Sequence, residues 1–290
     1  MHADHPLRAA LPLIVAAGLC FSTLDATAKY LVQDHTLFVV VWARYAGQMI
    51  VVTPISWHRG GGAFWRTRHL GMQLARSLCL VVATLCFFGA LRFLPLAEGS
   101  AISFLAPMFA IVLSMPVLGE RPTRARWIAA IVGFAGILIL VRPGSAVFHP
   151  ATGLLVMAAI SNALYQLLTR RLPNDSPHTT LFYSALVGTA ILSLGIPFAD
   201  LPDFSWKDAF FLVMLGFLAG IGHWMLITAY LRAPASLIAP FTYLQMIWAT
   251  AYGYLVFGQL PDGLSALGMA VIVASGVGLI VHERRRTLIR

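Results

Sequence analysis

Two adjacent stretches decide the fold: GSAISFLAPMFAIVLSMPVLGE, residues 99–120, and RPTRARWIAAIVGFAGILILVRPG, residues 121–144. Each contains a long apolar run, and Glu120, Arg121, Arg124 and Arg126 lie between the two runs. A helix needs about 20 mostly apolar residues to cross the hydrocarbon core of a bilayer. The pattern therefore predicts two consecutive transmembrane helices joined by a short charged turn.

The rest of the chain follows the same pattern. Its 290 residues are 59% hydrophobic and 11% charged, whereas soluble globular proteins carry about 25% charged residues. With a mean hydropathy of +0.81, the chain cannot be a water-soluble enzyme. The apolar runs must be helices, because unpaired backbone groups are costly in hydrocarbon and barrel strands are shorter. The predicted spans are 10–32, 36–56, 71–93, 95–118, 126–142, 151–170, 178–198, 209–231, 235–257 and 263–282.

The basic residues are distributed unevenly over the connections between these spans. Fourteen Lys and Arg residues lie at the two termini and in the even-numbered connections, and four lie on the opposite side. The positive-inside rule therefore predicts that both termini are cytoplasmic. The overall excess of 20 basic over 11 acidic residues follows from this topology, so we predict the lipid bilayer and no nucleic acid as a partner. A cleaved secretory signal at 10–32 is a less favoured alternative, because the segment continues as a helix with a polar stripe.

A shift of 139 residues aligns the chain with itself. Gly119-Glu120-Arg121-Pro122 then meets Gly258-Gln259-Leu260-Pro261, which predicts two five-helix halves, 1–145 and 146–290. Because five is odd, the second half enters the membrane from the opposite side, as in the inverted repeats of secondary transporters. The predicted fold is thus an all-α integral membrane protein with ten transmembrane helices, arranged as two inverted five-helix repeats around a central cavity. A tandem of membrane anchors without a site is the alternative.

At residues 99–144 the sequence closely resembles the end of an EamA domain of the drug/metabolite transporter superfamily, and a weaker second copy ends the chain. The resemblance covers nearly the whole chain. It implies ten helices around a cavity, with the third, fourth, eighth and ninth spans among its walls, and transport of small metabolites without ATP. Bacterial members include exporters of amino acids, some of them aromatic. The second copy has Gln259 where the first has Glu120, so a role for that acid does not extend to both halves.

Polar side chains inside apolar spans mark candidate sites, because a charge at a helix centre costs roughly 2.5 to 3.5 kcal/mol on insertion scales. In the first span Asp25 and Lys29 share one helical face with Gly18 and Ser22. We predict Asp25 and Lys29 as gate or coupling residues. The alternative is a structural ion pair between them, four residues apart, or a Lys29 that reaches for the interface.

Three other spans supply the predicted substrate contacts. The sixth span has a polar side, the ninth carries a stripe of aromatic and amide residues in its middle, and the eighth contributes a tryptophan. These groups can bind a polar or zwitterionic solute, and hydrogen bonding between helices is the alternative. The predicted contacts are Asn162, Tyr165, Gln166, Trp224, Gln245 and Trp248.

The eighth span also contains His223, the only histidine deep inside a span, after Gly216, Gly220 and Gly222. A histidine there can exchange protons near neutral pH, so we predict His223 as a gate or coupling residue; a neutral hydrogen-bonded helix contact is the alternative. The glycines predict close approach to another helix.

Two further features point to contacts or breaks inside spans. Arg44 with Gln48, and Glu98, are candidates for pairing across helices. Pro107 lies in the middle of the fourth span and Pro240 early in the ninth. Both predict bent or interrupted helices, which often border transporter sites, and bends caused by packing alone are the alternative.

The resulting hypothesis is a secondary transporter in the bacterial inner membrane that exports small organic metabolites, most specifically amino acids, by alternating access. No phosphate-binding loop, HExxH or GxSxG motif occurs, so neither an ATP-driven pump nor an enzyme is expected. The three cysteines show no metal or disulfide spacing, and we expect no cofactor or metal. The alternatives are a transporter of a nucleoside, vitamin or cofactor-like solute, and a non-transporting scaffold or receptor. Proton coupling and the oligomeric state stay open.

Overall fold

The computed structural model describes residues 4–144, 148–172, 175–199, 205–233 and 241–289. Within them, nine segments are long and apolar enough to cross a membrane. The predicted ninth span, 235–257, begins outside the described residues, and its described part, 241–257, contains α10. The helices are α1 (Asp4–Asp34), α2 (Leu37–Gly60), α3 (Leu70–Leu91), α4 (Leu96–Ser103), α5 (Ala106–Leu118), α6 (Arg124–Val141), α7 (Thr152–Arg170), α8 (Pro177–Ser193), α9 (Trp206–Arg232), α10 (Leu244–Phe257) and α11 (Gly263–Ile289), with a 3-10 turn at Ile196–Phe198.

The fourth span is interrupted, as Pro107 predicts. Helix α4 ends at Ser103 and α5 begins at Ala106, with Phe104 and Leu105 between them. Pro107 occupies the first turn of α5, where its missing N–H would have had no partner inside the helix. Pro240, early in the ninth span, lies outside the described residues.

The two segments aligned by the shift of 139 residues end in the same local structure. Gly119 after α5 and Gly258 after α10 are both left-handed, with φ of 69° and 65°. In both turns the next amide, of Glu120 or of Gln259, donates to the carbonyl six residues earlier. The amides of Gly119 and Gly258 themselves donate to the carbonyls four residues earlier, of Met115 and Tyr254. This is the αL C-cap, which favours glycine because a side chain would be strained at its left-handed residue.

The next helix of each half also begins in the same way. The Thr123 hydroxyl accepts a hydrogen bond from the Arg126 amide at the start of α6. The Asp262 carboxylate accepts one from the Ser265 amide at the start of α11, at 2.7 Å. Both are N-cap bonds, which satisfy amides that have no partner inside the helix.

Helices pack mainly against helices of the other half. Helix α1 packs on α9 and α3 packs on α7, while α1 also contacts α10 and α5 also contacts α7. Matching the helices of the two halves in order pairs α1 with α7, α3 with α9, and α4 and α5 with α10. Under this matching the α1–α9 contact corresponds to the α3–α7 contact, and the α1–α10 contact to the α5–α7 contact. The pairs α2–α8 and α6–α11 are their own counterparts.

Glycines allow the closest of these approaches. A Cβ atom at Gly47 of α2 would lie 2.7 Å from Cα of Gly216 of α9, and one at Gly220 would lie 2.6 Å from Cγ1 of Val51. The close approach predicted for the glycines of the eighth span is therefore confirmed. It fixes the height and rotation of α2 against α9, since no side chain separates the two backbones.

Candidate functional site

Asp25 and Gln245 lie together where α1 packs on α10. The Asp25 side chain is buried, and Nε2 of Gln245 donates to its Oδ2 at 3.4 Å. The Ser22 hydroxyl donates to the Gln245 carbonyl at 3.0 Å. One helical turn of α1 thus contacts both the side chain and the backbone of a predicted substrate contact.

Lys29 is buried as well but does not pair with Asp25. Its Nζ donates to the carbonyl oxygens of Leu91, at 2.9 Å, and Leu94, at 2.6 Å. Leu91 is the last residue of α3 and Leu94 lies in the turn that follows. The last carbonyls of a helix lack partners inside it and carry partial negative charge. The structural ion pair between Asp25 and Lys29, one alternative to the gate assignment, is therefore not formed in this structure, because the ammonium group bonds to these carbonyls instead.

On α2, Arg44 and Gln48 are buried side chains with unpaired polar atoms. Nη1 of Arg44 and both Nε2 and Oε1 of Gln48 are enclosed and have no hydrogen-bond partner among the described residues. The Arg44 guanidinium lies 4.5 Å from the centre of the Tyr45 ring, and the Tyr45 hydroxyl lies 3.0 Å from that of Thr84 on α3. Each unpaired buried group costs about 1–3 kcal/mol, so this region of α2 is an energetic exception within the fold.

His223 and Trp224 lie next to each other in the C-terminal half of α9. The His223 Nδ1–H donates to the Ala219 carbonyl at 2.8 Å, and Phe21 meets its ring edge-on with centroids 4.9 Å apart. Nε1 of Trp224 is enclosed without a partner among the described residues, while the Arg59 guanidinium lies 5.3 Å from its ring.

Trp248 on α10 repeats the feature seen at Trp224. Its Nε1 is enclosed and has no hydrogen-bond partner among the described residues. An indole N–H normally finds a partner when it is buried. Two tryptophans on two helices therefore each hold a buried N–H without a partner among the described residues.

The residues predicted on the sixth span do not act as one group. Tyr165 lies under the Arg76 guanidinium, at 4.6 Å from ring centre to Cζ. Asn162 is half-buried and Gln166 is exposed near the end of α7. Of the three, only Tyr165 contacts a charged side chain of the other half.

Arg76 is the centre of a polar network that sequence reasoning missed. It is 1% exposed and donates to Thr169 Oγ1 at 2.9 Å, to Gln73 Oε1 at 3.1 Å and to the Thr180 carbonyl at 2.8 Å. Arg76 thereby joins α3 to α7 and α8. The only signal in the sequence was a charge inside an apolar span, which does not identify its partners.

At the opposite end, Arg142 and Asp262 join the two halves. Nη2 of Arg142 lies 2.5 and 2.6 Å from the two carboxylate oxygens of Asp262. The guanidinium and the Ser265 amide hold the pKa of the Asp262 carboxyl far below its usual range. Glu98, expected to pair across helices, accepts a hydrogen bond from Ser265 at 2.9 Å.

The described residues also contain an apolar groove away from these polar groups. It has a volume of about 220 Å³ and lies between α5 and α6, where Leu105, Phe109 and Trp127 are among its walls. None of the predicted substrate contacts lines it. Within the described part of the chain, no three His, Cys, Asp or Glu side chains are placed to hold a metal ion.

Comparison with known proteins agrees with a transporter built from two similar halves. The sequence profile described as "EamA-like transporter family" matches residues 8–142 and again residues 150–281. The match covers nearly the whole chain, once in each half.

Named relatives match more than nine-tenths of the chain. A riboflavin transporter of Vibrio cholerae is 32% identical, over 98% of this chain and 96% of its own. An S-adenosylmethionine uptake transporter of Rickettsia prowazekii is 27% identical, over 92% and 94%. A pseudopaline exporter of Pseudomonas aeruginosa is 25% identical, over 94% and 96%.

A solved crystal structure supports the fold. It is 21% identical and superposes with a TM-score of 0.70 over 96% of this chain and 99% of its own. With the two profile matches and the relatives, the conclusion is plain: the chain is a multi-pass membrane transporter for small molecules and belongs to the EamA-like transporter family.

Proposed function

We propose that the protein is a secondary transporter of a vitamin- or cofactor-sized solute with a planar heteroaromatic ring. The observation that carries this proposal is the set of enclosed, unpaired hydrogen-bonding groups on helices of both halves: Gln48 on α2, Trp224 on α9 and Trp248 on α10. A transport site must offer such groups to its solute, because a site that satisfies all its own groups gains nothing from polar binding.

The chemistry of the relatives favours the same class of solute. Riboflavin and S-adenosylmethionine, named for two relatives, both carry a planar heteroaromatic ring with hydrogen-bonding edges. Indole rings bind such rings by offset stacking. Tyr165, Trp224 and Trp248 are thus proposed as ring contacts, and Asn162, Gln166 and Gln245 as polar contacts.

The proposed mechanism is alternating access between two inverted halves, 1–145 and 146–290, in a bacterial inner membrane with both termini cytoplasmic. It is supported by the helix contacts that recur with the halves exchanged and by the excess of basic residues at one end of the bundle. Asp25, Lys29 and His223 remain proposed gate or coupling residues. Asp25 is the first candidate for proton coupling, because its only hydrogen-bond partner among the described residues is a neutral amide.

Amino-acid export is the second candidate function. Buried Asp25 and Arg44 lie within range of electrostatic interaction, so one acid and one base are available for the ammonium and carboxylate groups of an amino acid. A zwitterion bound between them would neutralise both charges.

Counterflow in liposomes tests the proposal. The purified full-length chain is reconstituted, the vesicles are loaded with riboflavin, S-adenosylmethionine or phenylalanine, and uptake of the labelled solute is followed. We expect counterflow with a ring-bearing vitamin or cofactor. Counterflow with phenylalanine alone selects the second candidate, and no counterflow with any solute, in vesicles shown to contain folded protein, contradicts transport of either class.

A further inference from the structure

Arg44 and Gln48 form a pre-organised polar pair on α2. They are four residues apart, so their side chains leave the same face of the helix. Arg44 is 6% exposed and Gln48 0% exposed. Together they present two unpaired donors, Nη1 of Arg44 and Nε2 of Gln48, and one unpaired acceptor, Oε1 of Gln48.

Among the described residues, the other buried charged side chains of the spans each have a hydrogen-bond partner, whereas Nη1 of Arg44 has none. Arg76 has three hydrogen bonds, and Lys29 has two. Asp25 accepts one from Gln245. Within the described part of the chain, Arg44 is therefore a buried charge of a membrane span that keeps an N–H without a partner, and Gln48 lies one turn away.

The surrounding packing holds the pair in place. Between Arg44 and Gln48, Gly47 lies against Gly216 of α9, with room for no side chain. Tyr45 packs on Gly188 of α8, and its hydroxyl contacts Thr84. Because α2 is fixed on both sides, it cannot rotate to bring the two polar groups to water.

The pattern of donors and acceptor identifies a complementary ligand. A carboxylate offers acceptors only and would leave Oε1 of Gln48 unpaired. A cyclic imide offers a carbonyl, an N–H and a second carbonyl along one edge. Arg44 can donate to one carbonyl, Gln48 Nε2 can donate to the other, and the imide N–H can donate to Gln48 Oε1.

We infer that Arg44 and Gln48 bind the imide edge of a planar heterocycle through hydrogen bonds and so determine the specificity of transport. The inference rests on the proposed function and narrows its solute class to rings with a carbonyl–NH–carbonyl edge. The polar atoms of the pair are enclosed in this conformation, so ligand entry requires the bundle to open around α2.

Blocking the imide N–H tests this inference. Riboflavin and uridine are compared with their N3-methyl derivatives, both as ligands of the protein in nanodiscs and as competitors in counterflow. Methylation removes one hydrogen bond and introduces a clash, so we expect affinity to fall by about tenfold or more. The variant Gln48→Leu should bind the parent and methylated compounds with nearly equal, weak affinity. The variant Arg44→Lys should bind the parent compounds more weakly than the unaltered protein does.

A matched control is Gln259→Leu, which removes an amide from an exposed connection and should keep the preference for the unmethylated compounds. Equal binding of parent and methylated compounds to the unaltered protein overturns the imide inference and leaves transport itself intact. Transport of phenylalanine or S-adenosylmethionine without binding of either imide also overturns it. Absence of all binding and all counterflow contradicts the proposed function together with the inference.

Discussion

Nε2 of Gln73 donates to Oδ2 of Asp175 at 2.7 Å, which joins the start of α3 to the connection between α7 and α8. At the other end of the bundle, Nε2 of His35 lies 3.4 Å from Oδ2 of Asp208 and joins the connection between α1 and α2 to the start of α9. When the helices of the two halves are matched in order, α3 corresponds to α9 and the connection between α7 and α8 corresponds to that between α1 and α2. The two contacts therefore occupy equivalent positions in the two halves. The bundle thus has a matched polar contact at each end. We call these two contacts, Gln73–Asp175 and His35–Asp208, the polar closures.

If these closures are gates, weakening one should open one end only. We expect Asp175→Asn, which removes the charge that Gln73 and Thr67 share, to raise the reactivity of Ser77→Cys, one turn from Gln73, about threefold to tenfold. A membrane-impermeant maleimide added to inside-out vesicles measures this reactivity, in a background in which alanine replaces the native cysteines Cys20, Cys79 and Cys86.

The matched control for this experiment is Asp208→Asn, which neutralises the opposite closure. It should leave labelling of Ser77→Cys in the same inside-out vesicles unchanged or slower. Equal acceleration by both substitutions would indicate general loosening of the bundle and contradict the assignment of two separate closures.

The Arg142–Asp262 ion pair should be insensitive to pH over the physiological range. The hydrogen bonds of the ion pair depress the pKa of Asp262 in the folded protein. The pair therefore contributes fully to stability above the pKa of an unfolded aspartate, about 3.9, and its contribution decreases only as the pH falls below that value. We expect the difference in Tm between the protein and Asp262→Asn to be constant from about pH 8 to pH 5. A difference that already disappears between pH 7 and pH 5 would contradict this prediction.

The glycine contact between α2 and α9 should not tolerate a methyl group. Because a Cβ atom at Gly47 would lie 2.7 Å from a backbone carbon, we expect Gly47→Ala to lower the free energy of unfolding by about 1–3 kcal/mol, measured by thermal denaturation in detergent. The control Gly71→Ala adds the same atom on α3 where nothing lies within 4 Å and should be neutral or slightly stabilising. Similar Tm values for both variants would show that the contact is more open than described.

Tryptophan and amide side chains should matter more for flux than residues at the lipid-facing surface. We expect Trp248→Ala to reduce counterflow at least about tenfold, because it removes both the ring face and an available N–H, and Gln166→Ala to reduce it less. Leu138→Ala, at a position 46% exposed on α6, should leave flux unchanged. Equal, unaffected flux in all three variants would defeat the assignment of substrate contacts.

Most of the fold could be predicted from the lengths of the apolar runs and from the prolines, glycines and charged residues that separate them. The break in the fourth span follows from Pro107, because proline cannot donate a backbone hydrogen bond. The matching helix ends at Gly119 and Gly258 follow from the repeat. These features depend on a few neighbouring residues, so one sequence suffices to find them.

The partners of buried polar groups could not be predicted in the same way. Lys29 has Asp25 four residues away but bonds to carbonyls about sixty residues later in the chain. Arg76 likewise finds Thr169 and Thr180 on the other half. Such choices depend on which helix ends and faces meet in space, and periodicity along one helix carries no information about that.

The backbone contact between Gly47 and Gly216 has a mechanical consequence. Two main chains in direct touch cannot be pressed closer, and separating them forfeits the dispersion contacts along the whole crossing. The crossing of α2 with α9 is therefore suited to act as a pivot about which one half rotates against the other. The ends of the bundle lie furthest from this point and would move the greatest distance.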